Sequence, residues 1–303
     1  MVGRYTAMIA LLLCSIAVQA NVVIYQPLNS DSELTKGQWQ EMMLQLRERQ
    51  IDTIALQWSQ HEHSQFIDEE GRSRLQQLFH QANAQGLKIV VGLYHENSYY
   101  QRIQQQPRAL HFYLRGLYNR HLDVAQRWQA FTKLPAFAGW YISDEIDDLN
   151  WQSHAKQQLL IDYLSALSDQ LVTLAPAKPV YISSFYAGHS SPRQYAYLLE
   201  RLAQHTDLEL LWQDGVGTQV LSSDQRQAVQ KYVCQKGSHI HVIAEIFNES
   251  VEHRLSDECR PSWFFHCATC YLTTLLVNDS VKCKGGCHNM WLALRLSKNN
   301  IPK

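Results

Sequence analysis

The chain has 303 residues, of which 46% are hydrophobic and 11% aromatic, enough to bury a large core. Its formal net charge of −1 offers no basic surface to nucleic acid or to an anionic membrane. This length can hold two domains, but α/β barrels often fill it as one, and no Pro/Gly/Ser-rich linker divides the sequence. We therefore expect one large domain, with no nucleic-acid partner and no stable membrane association.

The first twenty residues have the features of a cleavable signal peptide. Arg4 supplies a positive charge, and an apolar run over residues 8–18 follows it. That run is too short to span a membrane as a helix. Ala20 is the small residue that a signal peptidase requires, so we predict cleavage after Ala20 and a periplasmic or secreted protein.

Strand-like and helix-like segments alternate after the signal peptide, which is typical of a parallel sheet with crossover helices. The strand-like segments are almost continuously apolar, as in a sheet that is buried on both faces. Strands are predicted at 21–28, 52–58, 87–94, 138–143, 179–185, 208–212 and 240–246. Helices are predicted at 36–49, 73–85, 102–132, 157–174 and 223–233. The pattern indicates an α/β fold, a (β/α)8 TIM barrel, over residues 21–258.

Residues 259–303 depart from this pattern, and we predict an atypical Cys-rich segment that does not close the barrel in the usual way. In an oxidising compartment its cysteines, with Cys234, favour disulfides, although two closely spaced pairs are also compatible with zinc. A degenerate barrel end is a third interpretation. The only candidate for an eighth strand is 271–277. The cysteines of this segment are Cys259, Cys267, Cys270, Cys283 and Cys287.

Two of the predicted strands end on a glutamate. Glu145 follows the apolar part of the fourth strand, and Glu245 interrupts the apolar seventh strand. The carboxyl ends of barrel strands meet over one face, and two carboxylates there are the equipment for cleaving a glycosidic bond. We interpret Glu145 as the acid/base and Glu245 as the nucleophile. The alternatives are that the acids around Glu145 cap the next helix and that Glu245 forms a structural ion pair.

Other predicted strand ends carry side chains suited to sugars. Amide and carboxylate groups can hydrogen-bond to hydroxyls, and flat aromatic rings can stack on pyranose rings. The predicted hydrogen-bonding residues are Gln26, Gln57, Gln213 and Asp214. The predicted stacking residues are Trp58, Tyr94, Tyr186 and Trp212.

No cofactor or metal site is expected. The chain lacks the glycine-rich nucleotide loops and the serine-hydrolase and zinc-protease signatures. His61 and His63 lie past the second strand without a second cluster, and His239 and His241 lie at the start of the seventh strand. We interpret both pairs as surface or core histidines.

Several strings of the chain resemble a known family. Residues 21–247 are similar to a bacterial family of secreted barrels, domain of unknown function 4434, which is grouped with the TIM-barrel glycoside hydrolases. The wider group of retaining glycosidases implies the roles given to Glu145 and Glu245. Those enzymes usually carry Asn before the acid/base to bind the sugar 2-hydroxyl; Asp144 stands there in this chain. The strings are Tyr25-Gln26-Pro27, Leu56-Gln57-Trp58, Val91-Gly92-Leu93-Tyr94, Gly139-Trp140-Tyr141-Ile142-Ser143-Asp144-Glu145 and Gln213-Asp214-Gly215-Val216-Gly217.

The sequence therefore predicts a secreted or periplasmic glycoside hydrolase that acts on a poly- or oligosaccharide with retention of configuration. Retention requires the two carboxyl groups to lie about 5–5.5 Å apart. One alternative is a non-catalytic polysaccharide-binding barrel involved in exopolysaccharide handling, which the aspartate at position 144 favours. Another is a zinc-dependent hydrolase that uses the C-terminal cysteines.

Overall fold

The computed structural model describes residues 20–27, 34–61, 69–218, 220–235, 239–245 and 290–294. Eight parallel strands follow one another around a closed barrel in chain order, and the last pairs with the first. Each connection therefore returns to the neighbouring strand, as in a (β/α)8 barrel. The strands are β1 (Ala20–Tyr25), β2 (Thr53–Leu56), β3 (Lys88–Gly92), β4 (Phe137–Ile146), β5 (Val180–Ser184), β6 (Leu208–Gln213), β7 (Ile240–Glu245) and β8 (Met290–Leu294).

Helices cover the outside of the barrel. Three of them begin with a capping box, in which a Ser or Thr side chain and a Gln three residues later satisfy each other's backbone amides. A 3-10 turn, Gln129–Lys133, extends one helix. The helices are α1 (Lys36–Glu48), α2 (Glu69–Ala84), α3 (Tyr99–Arg102), α4 (Pro107–Trp128), α5 (His154–Leu174), α6 (Pro192–His205) and α7 (Ser223–Val233).

The C-terminal part of the barrel differs most from the prediction. The closing strand is Met290–Leu294, later in the chain than the candidate at 271–277, which lies outside the described residues. Of the Cys-rich segment, only this strand is described. Cys234, just after α7, is disulfide-bonded. Among the described residues, no helix is long and apolar enough to cross a membrane.

The strands alternate between two apolar layers. A small cluster fills the barrel interior, and a larger one lies between the strands and the helices. Residues two positions beyond an interior residue face the barrel axis again, so the alternation determines which side chains reach the mouth at the carboxyl ends. The interior cluster consists of Ile24, Ala55, Val90, Tyr141, Leu211 and Ile243.

A bulge interrupts the pairing of β4 with β5. Ile142 pairs with Ile182, but the next paired residue of β4 is Glu145, opposite Ser183. Two extra residues therefore lie in β4 at this point, and the strand continues to Ile146 rather than ending at the predicted residue 143. Glu145 consequently lies within the strand, at its carboxyl end.

Candidate functional site

Glu145 lies at the mouth of the barrel and is held by side chains from two sides. The Tyr100 hydroxyl donates a hydrogen bond to Oε2, and Nε2 of Gln213 donates to Oε1 at 2.9 Å. The Tyr99 hydroxyl donates to the backbone oxygen of Glu145 at 3.1 Å. Glu145 is only half-buried, so a ligand that enters the mouth can reach its carboxylate.

Glu245 is held by backbone instead. Its Oε2 accepts hydrogen bonds from the amides of Gly217 at 2.8 Å and Thr218 at 3.3 Å. These amides belong to residues 214–218, the β6 loop, in which Gly215 adopts a φ of +69° that favours glycine. Glu245 is only 1% exposed, so the carboxylate is covered in this structure.

Asp214 joins the β6 loop to β7. Its Oδ1 accepts hydrogen bonds from the amides of Val216 and Glu245, both at 3.1 Å. Its own amide donates to the backbone oxygen of Ile243 at 3.0 Å. One carboxylate therefore fixes both the turn that covers Glu245 and the backbone that carries it.

The buried acids near Glu245 have perturbed ionisation. Burial, followed by the nearby charge of Asp214, raises the pKa of Glu245 to about 7, although the amides of Gly217 and Thr218 act in the opposite direction. The charge of Glu145 adds to the increase. Burial likewise raises the pKa of Asp214 to about 6.

Four predicted site residues, Glu145, Glu245, Gln213 and Asp214, are therefore brought together. Gln213 contacts Glu145, and its neighbour Asp214 contacts the backbone of Glu245. Two more predicted residues, Gln26 and Gln57, are half-buried and lie two positions beyond interior residues of β1 and β2. The alternation places both at the same mouth.

Two of the predicted stacking aromatics, Trp58 and Tyr94, are not open platforms in the structure. Trp58 is buried with its ring stacked on His95, with ring centroids 4.9 Å apart. Tyr94 is buried, and the Arg120 guanidinium lies over its ring, 5.3 Å from the centroid. Their positions correct the prediction, because a sugar cannot stack on a ring face that protein already covers.

The other two aromatics, Tyr186 and Trp212, are corrected in the same way. Tyr186 is buried, packs on Tyr195 and donates to the backbone oxygen of Ser190 at 2.5 Å. Trp212 is 2% exposed and belongs to the cluster between strands and helices. Alternation along β6 explains this, since the neighbouring Gln213 faces the barrel axis.

Asp144 also lies elsewhere than predicted. It is 3% exposed and faces the helices rather than the mouth. Its Oδ2 accepts a hydrogen bond from the Tyr163 hydroxyl of α5 at 2.6 Å and lies 3.2 Å from Nε2 of His121 on α4. The amide of Tyr94 donates to Nδ1 of His121, so Nε2 carries the proton and donates to Asp144. Asp144 therefore anchors the bulged strand and does not offer a hydroxyl-binding group.

The acids after Glu145 do not cap the following helix. Asp147 accepts hydrogen bonds from the amides of Leu149 at 2.8 Å and Asn150 at 2.5 Å. Asp148 binds the next loop through the amides of Ala187 and Ser190, at 2.8 and 2.7 Å. The N-cap of α5 is Ser153, so this alternative for the acidic cluster is wrong.

Sequence reasoning did not identify Tyr99 and Tyr100 as site residues. They lie in the four-residue helix α3, and both precede the helix predicted at 102–132 and follow the strand predicted at 87–94. Neither spacing nor charge singled them out, because their contacts with Glu145 join residues about 45 positions apart in the chain. A tyrosine pair after the third strand is the only signal that the sequence contained.

The histidines lie away from the two glutamates. The His61 ring lies 5.0 Å from that of His95, in a short two-stranded ladder at the barrel rim. His239 and His241 contact Glu209 at 3.3 and 2.8 Å, at the amino-terminal ends of β6 and β7. Within the described part of the chain, no group of three or more His, Cys, Asp and Glu is arranged to hold a metal ion. His63 and the C-terminal cysteines lie outside it.

Solved structures share this fold at low sequence identity. A proposed α-L-fucosidase from Bacteroides thetaiotaomicron matches with a TM-score of 0.65 and 14% identity, over 92% of this chain and 88% of its own. The intracellular xylanase TsXylA from Thermoanaerobacterium saccharolyticum matches with 0.54 and 13%, over 93% and 90%. The catalytic domain of the major endoglucanase of Xanthomonas campestris matches with 0.50 and 10%, over 91% and 86%. These similarities show a glycosidase-like TIM-barrel fold.

Sequence comparison gives the family. An uncharacterized Escherichia coli protein, YbcH, is 40% identical over 205 residues, which cover 68% of this chain and 68% of the relative. The model of the domain of unknown function DUF4434 matches residues 22–254, which span β1 to β7 and both glutamates. The chain therefore belongs to the DUF4434 family, as its sequence strings predicted.

Proposed function

We propose that the protein is a retaining glycoside hydrolase in which Glu145 is the acid/base and Glu245 the nucleophile. The observation that carries the proposal is the link between the two glutamates through adjacent residues of one strand end. Gln213 holds the carboxylate of Glu145, and Asp214 holds the backbone of Glu245. Two carboxylates at the carboxyl ends of barrel strands are suited to this reaction.

In the first step, Glu145 gives its proton to the glycosidic oxygen while Glu245 attacks the anomeric carbon, and the aglycone leaves as an alcohol. In the second step, the Glu145 carboxylate takes a proton from water. The resulting oxygen nucleophile attacks the anomeric carbon and releases the Glu245 carboxylate. The half-exposed Glu145 is the carboxylate of the two that can reach a leaving group in the mouth.

The β6 loop must move for this chemistry. Its amides cover Oε2 of Glu245, which is 1% exposed. We propose that sugar binding displaces Gly217 and Thr218 from the carboxylate. Exposure of the carboxylate by this movement lowers the pKa of Glu245, whereas loss of the two amide contacts raises it, and the nucleophile must be ionised when it attacks.

The substrate class is a poly- or oligosaccharide outside the cytoplasm, with secretion by cleavage after Ala20 as part of the proposal. The structural neighbours, a xylanase, an endoglucanase and a proposed α-L-fucosidase, define the first sugars to test. No shared substrate follows from identities of 10–14%.

Covalent trapping tests the proposal. The mature protein is incubated with fluorinated and epoxide glycosides of xylose, glucose and fucose, and the added mass is located by peptide mass spectrometry. We expect label on Glu245 and none in Glu245→Gln, while Glu48→Gln, an exposed change on α1, labels normally. Absence of label and of hydrolysis across the panel would overturn the proposal.

A non-catalytic polysaccharide-binding barrel is the second candidate, favoured by the covered Glu245 and by the structural use of Asp144. It predicts glycan binding that is nearly unchanged in Glu145→Gln and Glu245→Gln, with no hydrolysis by any form. A zinc-dependent hydrolase is the third interpretation. Metal analysis that finds no zinc in the purified protein would exclude it.

A further inference from the structure

We propose that Tyr99 and Tyr100 are positioning residues for Glu145, and that Tyr100 fixes the carboxyl orientation from which proton transfer takes place. This inference rests on the proposed function. Neither tyrosine is among the predicted site residues, and both come from α3, which follows the third strand rather than the fourth.

The two neighbouring tyrosines hold two different atoms of one residue. Tyr99 donates to the backbone oxygen of Glu145 at 3.1 Å, and Tyr100 donates to Oε2 of the carboxylate. With Gln213 on Oε1 at 2.9 Å, both carboxylate oxygens have a side-chain donor. The backbone contact fixes the position of Glu145, and the side-chain contacts fix the orientation of its carboxyl group.

The N-terminal side of α3 is tied to the outer helix α4. Glu96 is 4% exposed, forms a salt bridge with Arg120 of α4, and accepts from the Ser98 hydroxyl at 2.7 Å. The amide of Tyr99 donates to the backbone oxygen of Glu96 at 3.2 Å. A charge-assisted network whose carboxylate is buried holds the start of α3 in one place.

The C-terminal side of α3 is tied to another helix. Nζ of Lys156 on α5 donates to the backbone oxygen of Ile103 at 2.8 Å. Ile103 itself is completely buried. Helix α3 is therefore fixed at both ends to outer helices, which is what a support for a site residue requires.

Tyr100 lies on the solvent-exposed side of α3. Its ring meets that of Phe185 edge-on, with centroids 6.2 Å apart, and it is 36% exposed. Burial of the hydroxyl, followed by the charge of Glu145, raises the pKa of Tyr100 above its ordinary value. The hydroxyl therefore keeps its proton and remains a donor to the carboxylate throughout the working range of pH.

The chemical consequence concerns leaving groups. A poor leaving group needs the proton of Glu145 to depart, whereas an activated phenolate departs without it. Loss of the Tyr100 hydroxyl leaves the acid/base present but free to turn. The loss should therefore slow cleavage only where proton transfer limits the rate.

The test compares aryl glycosides with good and poor leaving groups, 2,4-dinitrophenyl and unsubstituted phenyl glycosides of the sugar that labels Glu245. For Tyr100→Phe we expect kcat/KM to fall about 10–100-fold on phenyl glycosides, part of the usual contribution of a general acid. On dinitrophenyl glycosides we expect a loss of less than about threefold. In Tyr99→Phe, which keeps the carboxyl contact, we expect no dependence on the leaving group.

Equal losses on both substrates, or no loss on either, would overturn the role of Tyr100. If the wild-type protein cleaves no glycoside, the proposed function fails, and the contact is tested separately. The carbon-13 carboxyl resonance of Glu145, assigned with Glu145→Gln, is then compared at one pH between wild type and Tyr100→Phe. We expect the resonance to move in Tyr100→Phe and to stay in place in Phe112→Leu, a change at an exposed ring on α4. A resonance that does not move in Tyr100→Phe would overturn the inference.

Discussion

The carboxyl ends of β4 and β7 carry the same residue but hold it in opposite ways. Glu145 is half-exposed, and side chains from α3 and β6 contact its carboxylate. Glu245 is buried, and backbone amides of the β6 loop contact its carboxylate. Side-chain support can be removed one group at a time, whereas backbone support changes only when the loop moves. The first end is therefore suited to proton transfer at the mouth, and the second to a charge exposed when ligand binds.

The largest contrast is expected from replacing the two glutamates. Glu145→Gln should lose about 10²–10⁴-fold in kcat/KM on phenyl glycosides, because a general acid contributes that much. On dinitrophenyl glycosides it should still form the glycosyl-enzyme, seen as a burst of phenolate. Glu245→Gln should give neither burst nor turnover on either substrate. A burst in Glu245→Gln and none in Glu145→Gln would reverse the two roles.

The structural role of Asp144 in β4 can be tested by measuring stability. Asp144→Ala leaves the Tyr163 hydroxyl and Nε2 of His121 without their buried acceptor. We expect the free energy of unfolding to fall by about 2–6 kcal/mol, since each of the two unsatisfied buried groups costs about 1–3 kcal/mol. Asp144→Asn keeps an acceptor oxygen and should lose clearly less. Urea denaturation of the three proteins measures this, and equal losses in both variants would contradict it.

The buried acids on the β7 side predict a dependence of stability on pH. The pKa values of Glu245 and Asp214 are raised in the folded state, to about 7 and about 6. The folded protein therefore binds protons more tightly than the unfolded chain, and this contribution to stability disappears as pH rises from about 4 to about 7. Each group contributes on the order of 3 kcal/mol.

The control for this effect is the double variant Glu245→Gln with Asp214→Asn, which has no carboxyl groups to titrate at these positions. The free energy of unfolding of both proteins is measured in urea at pH 4.5 and at pH 7.5. The wild type should lose stability between these pH values that the double variant keeps, so the difference between the two proteins should shift in favour of the variant at pH 7.5. A constant difference between the two proteins would show that these acids do not carry the effect.

The smallest effect, a change in the pKa of Glu245, is expected from Asp214→Asn alone. The variant keeps an acceptor for the amides of Val216 and Glu245 but removes a negative charge beside Glu245. Since that charge helps to raise the pKa of Glu245, the pKa should fall below about 7. Carbon-13 NMR titration of the Glu245 carboxyl group measures the change. With Glu245 as nucleophile, the rising limb of the pH–rate profile should move to lower pH by the same amount.

The order of strands β1 to β7 could be predicted because each is a short apolar run between polar turns. Helix α6 was not predicted, although Ser191 and Gln194 form a capping box and the buried Tyr195, Leu198 and Leu202 recur at helical spacing, so its signal was present in the sequence. Strand β8 was not predicted either, since its five residues lie in the Cys-rich segment, where the sequence does not follow the alternating pattern of the barrel. The alternation of strands and helices along the sequence therefore predicts strands β1 to β7, but not strand β8 at the end of the barrel.

The site was only partly predictable from sequence, for a related reason. Glu145, Glu245, Gln213 and Asp214 lie at strand ends, where position in the repeat indicates the mouth. The aromatic residues at neighbouring positions also lie at strand ends, but alternation turns Trp212 outward and Gln213 inward. Tyr100 comes from a helix, and only tertiary packing brings it to Glu145.

The two extra residues in β4 also limit how this strand end can change. Successive side chains of a strand point to opposite faces, so an insertion of two preserves which residues face inward. Deletion of Ser143 would exchange the faces, sending Glu145 to the helices and Asp144 to the axis. Viable length variants of this segment should therefore differ by even numbers of residues, a pattern that a deletion library of β4 would reveal.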